Sequence, residues 1–282
     1  MLTGSRGGFT LAEALISLAL ALVVAGAVFG LLLSTQRITL DQAQRVDLQS
    51  NLRAGSLVAL NELRELSAVA GGTGVQNDIL AAGSTSLVYR AMRGIGFVCG
   101  TASPAAIRMA RSSFTGHRDP QAGRDEALIL LEDSAATGEK DSWLSTPIVT
   151  VATSVPCPGT VGPGITLTLP SGAAVEGLEA GTPVRIAEVM ELRLYASEGK
   201  SWLGARSVSA GEAIQPLVGP LTGGTGFRLE YLDATGTATA DRTSIRSIRV
   251  ALRGTTEGGG GSGDQAEEEL IAQVALRNAV RP

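Results

Sequence analysis

The chain has 282 residues, which is enough for a membrane segment and one ordinary domain of roughly 150 to 220 residues. Its net charge of -4 and aromatic content of 4% argue against the basic, aromatic surface on which nucleic-acid binding depends. Two cysteines, Cys99 and Cys157, and the single His117 are too few for a Cys/His zinc or iron–sulfur site, so neither a metal nor a cofactor is predicted.

The most apolar part of the chain lies near its N-terminus. Residues 14–33 read ALISLALALVVAGAVFGLLL and contain no charge. A helix of this length, at about 1.5 Å per residue, covers the roughly 30 Å hydrocarbon core of a bilayer. The residues that follow, Ser34, Thr35 and Gln36, lack the small-residue cleavage pattern of a secretory signal peptide. The run therefore predicts a helix that is retained and spans a membrane.

One carboxylate, that of Glu13, lies at the edge of this run. Because a charged side chain costs on the order of 3 kcal/mol to insert into a bilayer, an intramembrane carboxylate usually has a partner. Residues 8–13 read GFTLAE and follow a short hydrophilic leader that contains Arg6. This stretch resembles the prepilin cleavage and methylation motif of type IV pilins and type II secretion pseudopilins. The alternative is that Glu13 only marks the interfacial end of an ordinary signal anchor.

The resemblance implies cleavage between Gly8 and Phe9 by a prepilin peptidase and N-methylation of the new Phe9 amine. It also implies that the Glu13 carboxylate pairs with the Phe9 ammonium of a neighbouring subunit in the apolar filament core, which would set the axial register. The implied partners are the prepilin peptidase/methylase, other minor pilins or pseudopilins, the major pilin, the inner-membrane assembly platform and membrane lipid. No nucleic acid is expected.

The same resemblance implies a single-pass protein of the inner, cytoplasmic membrane that later enters a pilus or pseudopilus. Arg6 and the positive-inside rule place the N-terminus in the cytoplasm and the bulk of the chain outside it. The predicted segments are a cleaved leader at 1–8, a transmembrane and filament-core helix at 9–34, an amphipathic continuation at 35–70 and a globular head at 71–282.

The continuation of the helix has apolar residues spaced by three, four or seven positions, which is typical of an amphipathic helix. These residues are Leu48, Leu52, Ala59, Leu63 and Leu66. Gly26, Gly30 and Gly55 are soft points of the helix, and the first two also permit close helix packing in lipid. The run Gly71, Gly72, Thr73 and Gly74 is predicted to end the helix.

Beyond the helix, short apolar runs alternate with Gly, Pro, Asp and Ser, which predicts a mainly antiparallel β head. The runs lie at 86–90, 127–131, 148–153, 165–169, 184–195, 227–232, 245–252 and 270–276. Residues 93–124 read as surface loops, with a short helix among them as an option, and the glycine-rich stretch 258–263 reads as a long hairpin tip. The predicted fold is α+β, a pilin-like ladle in which the long helix packs on the head.

The head also resembles minor pilins of the PilW type and pseudopilins of the GspJ type. The resemblance is carried by 187–197, 202–203, 216–218, 227–233 with Gly236, and the ending Arg277-Asn278. In 227–232 the side chains of Phe227, Leu229 and Tyr231 alternate to one face, as in a half-buried strand. This likeness implies a non-enzymatic minor subunit at or near the tip of a type IV pilus that primes assembly. The alternatives are a type II secretion pseudopilin in the pseudopilus tip complex and a DNA-uptake or adhesive tip pilin.

In that topology Cys99 and Cys157 lie on the non-cytoplasmic side, where disulfides persist. A disulfide between them would stabilise the fold by about 4 kcal/mol in the chain-entropy model. Two free buried thiols are the alternative.

Three other groups of polar residues are interpreted as surface features. His117 lies in a polar loop, and no G-x-S-x-G elbow accompanies it. Glu257, Asp264 and the run Glu267 to Glu269 are predicted to solubilise a strand and guard its edge. The remaining group is acidic and is interpreted as solvated carboxylates in preference to a calcium site, since no EF-hand spacing is present. It comprises Asp119, Asp125, Glu126, Glu132, Asp133, Glu139 and Asp141.

Overall fold

The computed structural model describes residues 8–68, 77–131, 142–154, 156–173, 175–256 and 266–277, with side chains everywhere in these ranges except at 101–103. Several predictions fall outside them: residues 1–7 of the leader, the helix stop at 71–74, the hairpin tip at 258–263 and Asn278. Four of the acidic residues, Glu132, Asp133, Glu139 and Asp141, lie outside them as well, as do Glu257 and Asp264.

The chain divides into two compact units. The first contains the described residues up to Gln49, together with Thr256 and Ala266. The second begins at Ser50, continues to Thr255, and includes the last strand from Glu267 onward. The final turns of the N-terminal helix therefore belong to the same unit as the β strands.

One helix, α1, covers Leu11–Arg64. Its first part has the uncharged composition of a membrane span, and none of its most apolar stretch is buried by the rest of the chain. Its last part is amphipathic, and the five apolar residues predicted to form its buried face are all buried. The long apolar helix is confirmed by length and composition.

Fourteen strands follow within the described residues, and all of their pairings are antiparallel. They are β1 (Ile79–Ala82), β2 (Ser86–Ser103), β3 (Ala106–Ala110), β4 (Thr115–Gly116), β5 (Asp125–Leu131), β6 (Ser142–Pro147), β7 (Thr150–Ser154), β8 (Gly164–Thr168), β9 (Pro183–Ser197), β10 (Lys200–Ser207), β11 (Gln215–Leu221), β12 (Phe227–Leu232), β13 (Ser247–Thr255) and β14 (Glu267–Ala275). A short 3-10 helix, Arg111–Ser113, separates β3 from β4.

The two longest strands, β2 and β9, organise the sheet. The main path of neighbouring strands is β12-β13-β11-β10-β9-β2-β3-β8-β7, and β14 adds to β13 at one end. Residues of β2 up to Phe97 pair with β9, and those from Val98 onward pair with β3, with a register shift between Val98 and Gly100. Strand β5 pairs with β9 as well, so the centre of β9 is bonded on both edges.

A core of buried aliphatic side chains fills the space among β3, β5, β8 and β9. Its members come from alternate positions of these strands, as expected when one face of each strand is buried. They include Ile107, Met109, Ala127, Ile129, Ile165, Leu167, Val184 and Ile186. In β12 the predicted alternation is confirmed, because Phe227, Leu229 and Tyr231 are buried.

Each of the eight predicted strand runs overlaps a strand, so the antiparallel β head is confirmed at this level. The loop interpretation of 93–124 is wrong in part. Strand β2 continues through this region to Ser103, and β3, the 3-10 helix and β4 follow it. The register shifts in β2 allow one strand to pass from its β9 partner to its β3 partner. Such shifts interrupt the alternation of apolar and polar residues by which a strand is predicted from sequence.

Candidate processing and assembly site

The predicted cleavage position lies in a non-helical segment just before the helix. Gly8, Phe9 and Thr10 have no regular secondary structure, and α1 begins at Leu11. The Phe9 side chain is 87% exposed. A Cβ placed on Gly8 would have no atom of the described residues within 4 Å, its chain neighbours aside, so packing against them does not require glycine there.

Glu13 and Thr10 form reciprocal hydrogen bonds across the first turn of α1. Its Oε2 accepts hydrogen bonds from the Thr10 backbone N–H at 2.9 Å and from the Thr10 hydroxyl at 3.0 Å. The Glu13 N–H in turn donates to Thr10 Oγ1 at 3.3 Å. This reciprocal arrangement is a capping box, which satisfies N–H groups that have no partner inside the helix.

The capping box gives Glu13 a role in this chain alone, besides the intersubunit pairing that the motif implies. Sequence analysis missed it, although the signal was present. Thr10 and Glu13 have the S/T-x-x-E/Q spacing that marks a helix N-terminus.

The first half of α1 presents apolar side chains to its surroundings on every side. Large side chains from Leu15 to Leu33 are exposed, which is the pattern of a helix that meets lipid or other helices. The helix is long and apolar enough to cross a bilayer, and it lies near the N-terminus. Thr35 and Thr39 lie just beyond this run, and their hydroxyls donate hydrogen bonds to the main-chain carbonyls four residues earlier. The two hydroxyls therefore have partners within the helix.

The last turns of α1 are held to the sheet by very close packing at Gly55. A Cβ built on Gly55 would lie 1.8 Å from Val218 Cγ2 of β11, well inside the distance of any real contact. Leu52, Ala59 and Leu63 are buried on the same side of the helix. Sequence analysis treated Gly55 only as a soft point of the helix, whereas the structure shows a position where a side chain would not fit.

An ion-pair network connects the end of α1 to the centre of the sheet. Glu62 accepts a bond from Arg93 of β2 at 3.3 Å, and Arg93 Nε donates to Glu188 of β9 at 2.8 Å. Arg118 and Arg124 also approach the Glu188 carboxylate, at 3.2 Å and 2.5 Å. Three guanidinium groups thus surround one carboxylate that is only 2% exposed.

The Glu188 carboxylate stays charged in this environment. Burial alone would raise its pKa, but hydrogen bonds from Ser207 and Arg93 and the charges of Arg93 and Arg124 outweigh burial and lower the pKa to about 2. The network therefore joins α1, β2 and β9 through a permanent charge.

Of the acidic residues predicted to be solvated, Asp125 is buried and Glu126 is half-buried in or beside this region. Asp125 is buried and accepts two hydrogen bonds of 2.6 Å from Arg118. Glu126 pairs with Arg90 at 2.5 Å. Among the described members of this acidic group, Asp119 is the one that is exposed as predicted, and it pairs with Arg111. The sequence lists these charges but not which arginine each one meets, because the partners come from different strands.

A second buried carboxylate, Asp78, fastens the segment after α1 to β1. Its Oδ2 accepts the Ser67 N–H at 2.8 Å and an Arg185 N–H at 3.2 Å. Its Oδ1 is buried with no hydrogen-bond partner among the described residues. Burial therefore raises the pKa of Asp78, although Arg185 and the Ser67 N–H oppose the shift.

The predicted disulfide between Cys99 and Cys157 is confirmed. Cys99 lies at the register shift of β2, and Cys157 lies in the connection between β7 and β8. Their Cα atoms are 5.7 Å apart and 58 residues apart in the sequence. The bond ties the β7–β8 hairpin to β2.

His117 lines a cleft of about 880 Å³ in the unit that contains the strands. Its neighbours there include Asn61 and Arg64 of α1, Arg93 and Arg277. The His117 side chain is exposed, and its N–H of the main chain donates to the Arg93 carbonyl at 2.9 Å. Across the residues that the structure describes, no group of three or more His, Cys, Asp and Glu side chains is placed to hold a metal ion.

No protein-family model, curated protein or solved structure matches this chain. Function is therefore inferred from the residues of the N-terminal segment and from the geometry around them.

Proposed function

We propose that the protein is a minor pilin or pseudopilin, cut by a prepilin peptidase between Gly8 and Phe9 and then assembled into a filament at or near its tip. The observation that carries this proposal is the sequence GFTLAE at 8–13, immediately before an exposed, uncharged stretch of α1 at 14–33. The pilin-like ladle and the PilW-type or GspJ-type assignment of the head remain predictions.

Three features of the N-terminal segment support processing at this position. The bond between Gly8 and Phe9 lies outside the helix, so a peptidase can bind it without unwinding a turn. A Cβ on Gly8 would meet no other described residue beyond its chain neighbours, so a requirement for glycine there would come from an external partner that approaches the backbone closely. Removal of residues 1–8 leaves Thr10 and Glu13, and with them the start of α1, intact.

Assembly supplies a reason for the exposed apolar surface of α1. A helix that is apolar all round is unfavourable in water and is stable in lipid or among other apolar helices. In a filament core the neighbouring helices take the place of lipid. The Glu13 carboxylate then pairs with the new Phe9 ammonium of the next subunit. A carboxylate in an apolar core requires such an opposite charge beside it.

The work of such a protein is architectural. The second unit, with its disulfide and its buried ion-pair network, forms a stable body attached to α1 through Gly55 and Glu62. The N-terminus is placed in the cytoplasm and the head outside the inner membrane, as the motif and Arg6 predict.

The deciding experiment is intact-mass measurement of the protein isolated from cells that contain a prepilin peptidase. We expect loss of residues 1–8 and one added methyl group on the Phe9 amine. Gly8→Val is the matched control: it should stay uncut with a normally folded head, since a Cβ at this position meets no described residue beyond the chain neighbours. An uncut wild-type N-terminus, or a cut after the apolar run, would contradict the proposal.

A further inference from the structure

Strand β7, Thr150–Ser154, forms one end of the main strand path, and among the strands of the described residues it pairs with β8 alone. It contains no charged residue, no proline and no shift in register with β8. Natural sheets usually protect such edges with charge, proline, a bulge or a covering segment, because an open edge pairs with other strands.

Other edges of the same sheet do carry such protection. Strand β14 begins with three glutamates, and β6 ends at Pro147. The carbonyls of Ile79 and Leu80 in β1 accept bonds from the Arg242 guanidinium. At β12, the Leu229 N–H donates to the Ser84 carbonyl at 2.8 Å. Strand β7 has no charged residue and no proline of its own, which distinguishes it from β6, β12 and β14 among the described residues.

The hydrogen bonds of β8 show which main-chain groups of β7 face outward. The Thr168 carbonyl accepts the Val149 N–H at 2.8 Å, so Thr168 turns toward β7. The Leu169 N–H donates to the Ala105 carbonyl at 2.7 Å, so Leu169 turns toward β3. Because this direction alternates along a strand, Thr166 and Gly164 also turn toward β7.

The partners of these residues in the register are Thr150, Ala152 and Ser154. Their main-chain groups are directed at β8. The N–H and C=O groups of Val151 and Thr153 therefore point away from β8, to the open side of the strand. They are four groups that an added strand could satisfy.

From this geometry we infer that β7 pairs with β7 of a second copy of the chain, antiparallel, about a twofold axis at Ala152. In this register Val151 lies opposite Thr153 of the other copy, and Thr153 lies opposite Val151. Each of the two pairs exchanges two N–H to C=O bonds, so all four outward groups of each strand are satisfied. No other register satisfies Val151 and Thr153 of both copies with residues of β7 alone.

The side chains fit the same register. Ala152 lies opposite its own copy as a non-hydrogen-bonded pair, where Cα atoms approach to about 4.5 Å. Its small methyl group is exposed and accommodates this approach. The flanking Val and Thr residues are β-branched, which favours cross-strand packing. Such an interface is isologous and closes at two copies, and it does not depend on the proposed function.

Disulfide cross-linking of the full-length chain in its own membrane tests the pairing. Ala152→Cys places two thiols opposite each other at a separation that a disulfide spans. Thr150→Cys is the matched control on the same exposed face of the same strand. Its two copies would lie about 14 Å apart along the strands, too far to bond.

After mild oxidation we expect Ala152→Cys to run as a dimer on a non-reducing gel, with at least about tenfold more cross-link than Thr150→Cys. Adding Thr153→Pro to Ala152→Cys should abolish the dimer, since it removes an outward N–H while leaving the β7–β8 ladder intact. The native Cys99–Cys157 bond, verified by peptide mapping, reports that each variant has folded.

Three outcomes would overturn the inference. One is a monomeric Ala152→Cys, including the case in which its thiol bonds to a different protein. Another is an equal yield from Thr150→Cys and Ala152→Cys, which would indicate random collision. The last is a dimer that persists in the Thr153→Pro background.

Discussion

The carboxylates of Glu13 and Glu188 differ in how far along the sequence their hydrogen-bond partners lie. Glu13 is bonded to Thr10 in the same turn. Glu188 is bonded to arginines that lie more than sixty residues away in the sequence. A residue such as Glu13 has a role that its neighbours reveal, whereas the role of Glu188 depends on the packing of strands.

The Glu13 carboxylate caps α1, and it also carries the charge proposed to pair with Phe9 of a neighbouring subunit. A pair of variants distinguishes these two roles. Glu13→Gln keeps a side chain that can cap the helix but removes the charge, whereas Glu13→Ala removes both. If the carboxylate pairs with Phe9 of a neighbour, both variants should be cut normally and both should be depleted from sheared filaments. The measurement is the ratio of filament to membrane protein by immunoblot, with Thr10→Ser as a control that keeps the capping box.

Normal incorporation of Glu13→Gln, with loss only in Glu13→Ala, would indicate that the cap and not the charge is what assembly requires. This comparison is more informative than Glu13→Ala alone, since alanine disturbs the start of the helix as well.

Glu188 gives the head a defined response to acid. Its pKa is about 2 in the folded protein against an ordinary value of 4.5, so the ionised form is favoured by folding. The stability it contributes is fully present above pH 4.5 and is lost as the pH falls from 4.5 toward 2. Glu188→Gln should lower the free energy of unfolding at neutral pH and flatten its decline over this window.

The measurement is denaturant unfolding of the full chain in detergent, followed by tryptophan fluorescence at several pH values. Trp143 and Trp202 both lie in the β strands and report on that unit. Glu269→Gln, which removes an exposed carboxylate of β14, serves as the control and should leave the slope unchanged. An equal slope in wild type and Glu188→Gln would contradict the assignment.

At the scale of elements, α1 has two halves that meet different surroundings. The first half exposes its apolar residues, and the last turns bury theirs in the unit that contains the strands. Gly55 is the point where helix and sheet come closest, because β11 presents Val218 to the helix backbone. The disulfide provides a comparable attachment at β2 and the β7–β8 hairpin.

Gly55→Ala tests this close approach, because helix propensity and packing predict opposite changes in stability. Alanine favours an exposed helix by about 1 kcal/mol over glycine, so propensity alone predicts stabilisation. The clash with Val218 predicts the opposite, a loss of about 1 to 3 kcal/mol from overpacking. We expect the clash to dominate in unfolding experiments in detergent, and Val218→Ala to recover part of the loss in the double variant. Additive effects of the two substitutions would show that the contact is absent.

At the scale of the whole molecule, the disulfide and the proposed membrane anchoring of α1 lead to one joint prediction about location. A disulfide persists in an oxidising compartment and is rare in the cytosol. Cys99 and Cys157 should therefore be unreactive to a thiol reagent in the wild-type protein from cells, whereas Cys99→Ser should expose Cys157 to labelling after denaturation. The same variant should lose about 4 kcal/mol of stability, as expected for closing a loop of this length.

Labelling of both wild-type thiols without reductant would place the head in a reducing compartment and contradict the topology. Because this readout does not depend on processing at Gly8, it tests orientation separately from cleavage.

The sequence by itself determined the features that depend on neighbours along the chain. The apolar run, the motif at 8–13, the buried stripe of α1 and the alternation in β12 are all local periods or spacings, and local spacing fixes which side chains share a face. The tertiary structure alone decided the rest. It decided which arginines surround Glu188 and that Val218 lies against Gly55. It also decided that β2 passes from β9 to β3 and that β7 lies at one end of the strand path. Each of these features depends on residues far apart in the chain. Their identity follows from how the strands pack, which no local pattern encodes.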